Sequence, residues 1–290
     1  MQPVEILGSR NIVGEGILWD SRRQRLCWTD IQGSELYCYE WATGAMEVLD
    51  TPERVGSFGF IAGDDRLITA FASGIALYDA PNGNIEWLAR PEEIVSGIRF
   101  NDGRVDRRGR FWSGTMVEDD ACQAKGCLYS MDSRGGLRRH VQDVRVSNGL
   151  CTSPDGRQLY FADSPTRTIY VYDVNEPDGH LGPRRVFATT PAGALPDGAT
   201  VDVDGCLWSA HWGGGCLVRY TPEGRIDRTI CIPASQPTCA CFAGANLDVL
   251  CVTSAREGLS ESTLQSEPHA GAVFFYRIGV QGLAEPEYRL

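Results

Sequence analysis

The chain has 290 residues, 42% of them hydrophobic, which suffices for one large all-β or α/β-barrel domain or for two small ones, and excludes global disorder. Its 27 Lys and Arg against 38 Asp and Glu give a net charge of −11, with no basic run to offset it, so nucleic acid and anionic membranes are excluded as expected partners. No stretch approaches the roughly 18 apolar residues of a membrane span.

The opening residues, MQPVEILGSRNIVGEG, have neither a basic n-region nor a continuous apolar h-region, so no secretory signal is read there and a cytoplasmic location is expected. The 11 cysteines are odd in number and scattered through strand-like segments. In a reducing compartment they read as small buried hydrophobes. Cys239 and Cys241 form a C-x-C, which does not match zinc spacing.

From Gly14 onward short runs rich in Tyr, Trp, Val and Ile alternate with Gly, Pro and Asp clusters, the signature of strands and tight turns. One unit recurs in chain order. Its second strand reads RLCWTD, RLITAF, RFWSGT, QLYFAD, CLWSAH and DVLCVT, around Leu26, Leu67, Phe111, Leu159, Leu207 and Leu250. The steps are roughly 40 to 50 residues, the length of a four-stranded propeller blade. Third strands follow as ELYCYE, IALYDA, CLYSMD, IYVYDV, CLVRYT and AVFFYR. Five fourth strands follow as MEVLD, IEWLA, LRRHV, RRVFA and RIDRTICI. Six units predict an all-β, six-bladed β-propeller spanning 1–290 as a single domain. A pair of β-sandwiches, the alternative, does not account for so even a repeat.

Counting back from each second strand reaches the entry of the innermost strand. Glu15 lies 11 residues before Leu26, Asn101 lies 10 before Phe111, Asn148 lies 11 before Leu159, and Asp197 lies 10 before Leu207. The other two units carry small residues there, Ser57 and Cys239. Innermost strands line a propeller's central channel, so these positions face one another around the axis. Asn-Gly and Asp-Gly are common turn pairs in their own right. Pro154-Asp155-Gly156 and Asp204-Gly205 read as such turns, because they fall between two strands of one blade. Glu15, Asn148 and Asp197 fall at a strand entry instead. Two carboxylates and an amide oxygen aimed at one spot repel or stay unsatisfied without a cation. Hard oxygen donors suit Ca²⁺, Mg²⁺ or Mn²⁺, and Zn²⁺ also accepts carboxylates. Three protein ligands leave positions open for water and substrate.

The ends of the second strands form a second ring at the same face: Asp30, Phe71, Met116, Asp163, His211 with Trp212, and Arg256. This predicts a mixed polar and aromatic wall for a small hydroxylated ligand.

The segments GEGILWD, RFNDGRVDRRGRFWSGTM, SNGLCTSPDGRQLYFADS, PDGATVDVDGCLW and CFAGANLDVLCVTSAREGL, in this order and at blade spacing, resemble the senescence-marker protein (regucalcin) and gluconolactonase family. The resemblance covers essentially the whole chain and, through AHWGGG and TSAREGLS, is similar to the bacterial sugar lactonases. It implies hydrolysis of a sugar (aldono-)lactone to the sugar acid. It implies one divalent cation (Ca, Zn, Mn, Mg or Fe(II)) held by Glu15, Asn148 and Asp197, and a small-molecule lactone held by Arg99 and Asn101. The family's further acidic contact falls on Asp119, with Glu118 beside it; Asp in place of Glu shortens the reach. Asp197 is then both ligand and general base, and the protein is a monomer or small homo-oligomer. Two other functions fit a propeller with this channel. An aryl-esterase or organophosphate hydrolase needs a more apolar pocket, and a non-enzymatic metal-binding propeller needs a closed coordination shell. A strictosidine-synthase-like, metal-free enzyme would lack the Glu15, Asn148 and Asp197 set.

Overall fold

The structure is a computed structural model and describes residues 1–91, 97–119, 125–175 and 178–290. It is all-β in its regular architecture: six four-stranded antiparallel sheets form the blades of a propeller. Five blades run in sequence order from the inside out, over 14–50, 55–89, 98–144, 147–189 and 195–231. The sixth takes Pro237–Ala243, Val249–Ser254 and Val273–Arg277 from the end of the chain. Its outermost strand, Glu5–Leu7, comes from the beginning, with Leu7 opposite Val273. That strand completes the one unit whose fourth strand the repeat did not supply, and it ties the two ends of the chain together. Among the described residues no helix is long and apolar enough to cross a membrane.

The innermost strands contact their neighbours all the way round, which places Gly14–Asp20, Val55–Phe60, Ile98–Val105, Ser147–Thr152, Leu195–Val201 and Pro237–Ala243 on one axis. Aromatic residues of the first and second strands fill the wedges between blades. Trp19, Trp28, Trp112 and Trp208 are all fully buried. The turns between first and second strands are held by buried aspartates. Asp106 accepts the Trp112 indole N–H at 2.8 Å and the backbone amides of Arg108 and Arg110, and Asp202 does the same for Trp208, Asp204 and Cys206. Asp155 likewise accepts from Ser153 and the Arg157 amide, in keeping with its reading as a turn residue.

Each innermost strand carries a β-bulge. Glu15 pairs with Thr29 but Leu18 with Cys27, and the same extra residue occurs after Phe100, Asn148, Pro196, Pro237 and Val55. A bulge re-aims the side chains beside it, here toward the channel. Gly16 and Gly149 have φ of 59° and 67°, left-handed values that a side chain would oppose, so a glycine follows both Glu15 and Asn148.

At the other end the C-terminal tail crosses the channel. Gly282 bridges Asp202 and Tyr288 bridges Ile61, so the tail reaches from the fifth blade to the second. Between these points Glu285 forms an ion pair with Arg104, an inward residue of the third blade. Arg104 also donates to Ala199 O and Thr200 Oγ1 on the fifth, both at 3.4 Å. Burial acts against the Arg104 charge, but the Glu285 carboxylate outweighs it and raises the pKa. Both side chains are about nine-tenths buried, at 9% and 10% exposure. Removing one member of a buried pair strands the other charge. Glu285→Ala is therefore expected to lower unfolding free energy by about 3–5 kcal/mol in urea titration. A loss under about 1 kcal/mol would show that solvent reaches Arg104 and that the tail does not seal the channel.

Candidate active site

The expected ring forms at the bulges. Glu15 and Asn148 sit at the last paired position before their bulge, and Asn101 and Asp197 sit one residue further, inside it. This explains the spacings of 11 and 10: the chain offsets the residue by one, and the bulge turns all four toward the axis. Glu15, Asn101, Asn148 and Asp197, with Arg99 and Ser164, form the polar floor of a cavity of about 180 Å³.

The carboxylates of Glu15 and Asp197, from the first and fifth blades, are in hydrogen-bonding contact. Glu15 Oε2 accepts the Gly16 amide at 2.8 Å, and Asp197 accepts the Gly198 amide. These bonds do not offset burial. Burial, then the Asp102 carboxylate nearby, push the Glu15 pKa to about 8. Burial, then Glu15, push Asp197 well above the usual carboxylate range. The pair therefore holds a proton or needs a cation. Among the described residues no three His, Cys, Asp or Glu side chains surround one point. Asp102, the third carboxylate, spends its oxygens on the backbone amides of Gly103 at 2.8 Å and Leu150 at 2.7 Å. A cation here thus depends on amide oxygen as well, and Asn148 offers it. The Asn148 Nδ2 donates to Ser164 Oγ at 2.9 Å, which leaves Oδ1 toward the ring, where it accepts from Asn101 Nδ2 at 3.1 Å. The donor set of two carboxylates and an amide oxygen fits a hard divalent cation.

Arg99 is anchored beside this floor. Its Nη1 donates to Asn101 Oδ1 at 2.6 Å and Phe100 O at 2.9 Å, and its Nε donates to Glu118 at 3.0 Å. Glu118 is gripped from its other side by Arg54 through two bonds of 2.7 and 2.8 Å. Burial raises the Glu118 pKa, but Arg54 and Arg99 together outweigh it and hold the carboxylate below its ordinary value. Asp119 is exposed and does not line the cavity, so the acidic group in contact with Arg99 is its neighbour Glu118.

The expected polar second ring is not what surrounds the cavity. Asp30 accepts the backbone amides of Ile12 and Val13 at 2.7 and 2.9 Å, and Asp163 accepts those of Arg145 and Val146. Both serve as clamps on the strand entries. Phe71 is fully buried in the core. His211 is buried against the Tyr220 hydroxyl, and burial pushes its pKa down to about 4, so it is neutral. Of that ring Met116 and Trp212 reach the cavity, joined by Val13, Ile31, Val146 and Leu195. Apart from Glu257 the wall is apolar, because Asp30 and Asp163 are consumed by backbone amides and His211 is turned to Tyr220. Ser164, Asp102 and Arg54 were not read from the sequence as site residues. Asp102 and Ser164 lie in segments singled out for other residues, and the partner of Asp102, the Leu150 amide, is 48 residues away; Arg54 lies in none of them.

Residues 13–256 match the model of a family described as "SMP-30/Gluconolactonase/LRE-like region". The chain is 38% identical to a 6-deoxy-6-sulfogluconolactonase of Pseudomonas putida over 278 residues, 95% of this chain and 94% of the relative. It is 35% identical to an L-arabinolactonase of Azospirillum brasilense, covering 99% of this chain and 95% of that one. A crystal structure described as a calcium-binding protein, regucalcin, from Agrobacterium tumefaciens superposes with a TM-score of 0.94 at 30% identity, covering 100% of this chain and 99% of that one.

A carboxyl whose folded pKa is raised stabilises the fold below its ordinary pKa, and that contribution is lost as pH rises through the folded value. For Glu15 the window runs from 4.5 to about 8. Chelator-treated protein is expected to show a falling Tm between about pH 5 and about pH 9, and Glu15→Gln is expected to flatten the fall. A Tm that is level or rises across this range would mean the two carboxylates do not share a buried site.

Proposed function

The chain belongs to the SMP-30/gluconolactonase/LRE-like family, and from that premise we propose that it hydrolyses a sugar lactone to the free sugar acid, with one divalent cation held by Glu15, Asn148 and Asp197. The observation that carries the reading is the contact between two buried carboxylates on the floor of a cavity. The relatives named as sugar lactonases support the reaction, and the relative described as calcium-binding supports a divalent cation. When bound, such a cation would polarise the lactone carbonyl and offset charge that develops on its oxygen.

The residues of this chain do the rest. Asp197, on the floor of the cavity, accepts the proton of the attacking water. Glu15 holds the adjacent position on the floor. Arg99 presents its guanidinium beside Asn101 and binds ring hydroxyls. The Glu118 and Arg54 pair braces that guanidinium from behind and so fixes the ring's orientation before reaction. Ser164 orients Asn148. The apolar wall excludes bulk water, which strengthens the charges on the floor.

The same wall favours a second reading. Val13, Ile31, Val146, Leu195 and Trp212 suit an ester with an apolar or aryl substituent, the condition that an aryl-esterase on this propeller requires. Base uptake measured on five- and six-carbon aldonolactones and on aryl acetates, with chelated and reloaded protein, separates the two. Cation-dependent turnover of aldonolactones is expected. Turnover confined to aryl esters would overturn the first reading.

Two variants separate ligand from base at saturating cation, with bound metal counted. Asp197→Asn keeps an oxygen donor and is expected to lose at least 10²–10⁴-fold in turnover, on the order of general-base removal. Glu15→Gln is expected to weaken cation binding to a similar extent yet recover much of its rate. Equal recovery would make Asp197 a ligand only. Arg99→Lys is expected to lower turnover with the cation still bound, because an ammonium cannot hold Asn101 and Glu118 in one planar fork; loss of the cation would instead make Arg99 structural.

A further inference from the structure

The cysteines of this chain are not scattered in space. Among the described residues three pairs stand directly opposite each other on adjacent antiparallel strands: Cys27 with Cys38, Cys216 with Cys231, and Cys241 with Cys251. All six are free thiols. Directly opposed residues on such strands have Cα atoms about 4.5–5.5 Å apart, inside the range a disulfide accepts. The pairs differ in surroundings. Cys241 and Cys251 are fully buried. Cys216 turns toward His211 Nδ1 at 3.9 Å, and Cys231 is exposed.

Cys27 and Cys38, in strands Arg25–Asp30 and Glu35–Glu40 of the first blade, have their sulfurs 3.1 Å apart. Both line a cavity of about 170 Å³ between the first and second blades, which Arg23, Arg25, Glu47 and Asp65 also line. A small polar oxidant thus has a route to a pair that is otherwise only 2% and 5% exposed. The arrangement also makes the two sulfurs unequal. The two sulfurs share a hydrogen bond that either can donate; that bond, then Arg25 against the opposing effect of burial, lower the Cys38 pKa, while the bond and burial raise that of Cys27. Cys38 is also the more exposed of the two, so it is the attacking sulfur, in its reactive thiolate form, and Cys27 the resolving one.

We propose that Cys27 and Cys38 form a peroxide-reactive dithiol site that closes to a cross-strand disulfide. Cys38 sulfur attacks hydrogen peroxide and breaks its O–O bond. This yields a sulfenic acid and one water. Cys27 sulfur then attacks the sulfenic sulfur. The S–S bond forms, the S–O bond breaks, and the oxygen leaves as a second water with the thiol protons. Two thiols are oxidised and one peroxide is reduced. The site is separate from the channel floor and independent of the proposed hydrolysis.

The test treats the folded protein with one equivalent of hydrogen peroxide, quenches it, unfolds it in an alkylating reagent and maps the peptides. Cys27 and Cys38 fall in one tryptic peptide, residues 26–54, between Arg25 and Arg54. That peptide is expected to lose two hydrogens and to resist alkylation until a reductant is added. Cleavage at Asp30 should leave its two halves joined. Cys38→Ser is expected to abolish the bridge and slow peroxide consumption, and Cys27→Ser is expected to leave Cys38 as a trappable sulfenic acid. Each reduced variant is checked for native circular dichroism. Two alkyl groups on peptide 26–54 after treatment, with the oxidation on Cys231 instead, would overturn the proposal. So would an unaltered rate of peroxide consumption in both variants.

Discussion

Two carboxylates held in contact inside a closed channel set the terms for the rest of this structure. Glu15 and Asp197 come from blades on different parts of the ring and are 182 residues apart in sequence, yet they share a hydrogen bond in a buried place. Like charges at that separation in a low dielectric do not both persist unaided. Everything nearby answers that constraint. Bulges present the carboxylates, amide donors from Gly16 and Gly198 take one oxygen each, and Asn148 brings a neutral oxygen to complete a donor set. Asp102 is kept out of the set by the amides of Gly103 and Leu150. A third free carboxylate at the same point would make the site harder to charge.

The strain of such a site is contained by closure of the ring. The N-terminal strand completes the last blade, so the first and sixth blades are tied to each other through the Glu5–Leu7 pairing. The tail spans the far mouth of the channel and lays Glu285 against Arg104. The cavity thereby opens at one face. There the wall is apolar except for Glu257, because Asp30 and Asp163 are turned onto backbone amides that the strand entries leave unpaired. A reactive floor under an apolar wall lets a small ring bind by its polar edge while water is kept to a minimum.

Much of this was legible in the sequence. The period of the second strands fixed the number of blades, and counting back from them reached Glu15, Asn101, Asn148 and Asp197, which do meet at one cavity. Periodicity suffices there because a propeller converts equal spacing in sequence into equal position around an axis. The sixth blade's outer strand was not legible, since Glu5–Leu7 is three residues long and its partner lies at the opposite end of the chain. The function of the strand-end carboxylates was misjudged for a different reason. Sequence shows that Asp30 and Asp163 stand at the rim, but not that backbone amides there compete for them and win. The bracing of Arg99 by Glu118 and Arg54 was hidden for the same reason: Arg54 precedes Glu118 by 64 residues and carries no motif. The cysteine pairs show the limit most plainly, since a composition of 11 cysteines says nothing about register.

The central claim is that the carboxylate pair and Asn148 form a cation site on the channel axis. A crystal soaked in Mn²⁺ and measured for anomalous scattering tests it most directly. The account predicts one strong peak on the axis, about 2.0–2.6 Å from oxygens of Glu15, Asn148 and Asp197. A channel with no peak while Mn²⁺ occupies acidic groups on the outer surface would contradict it.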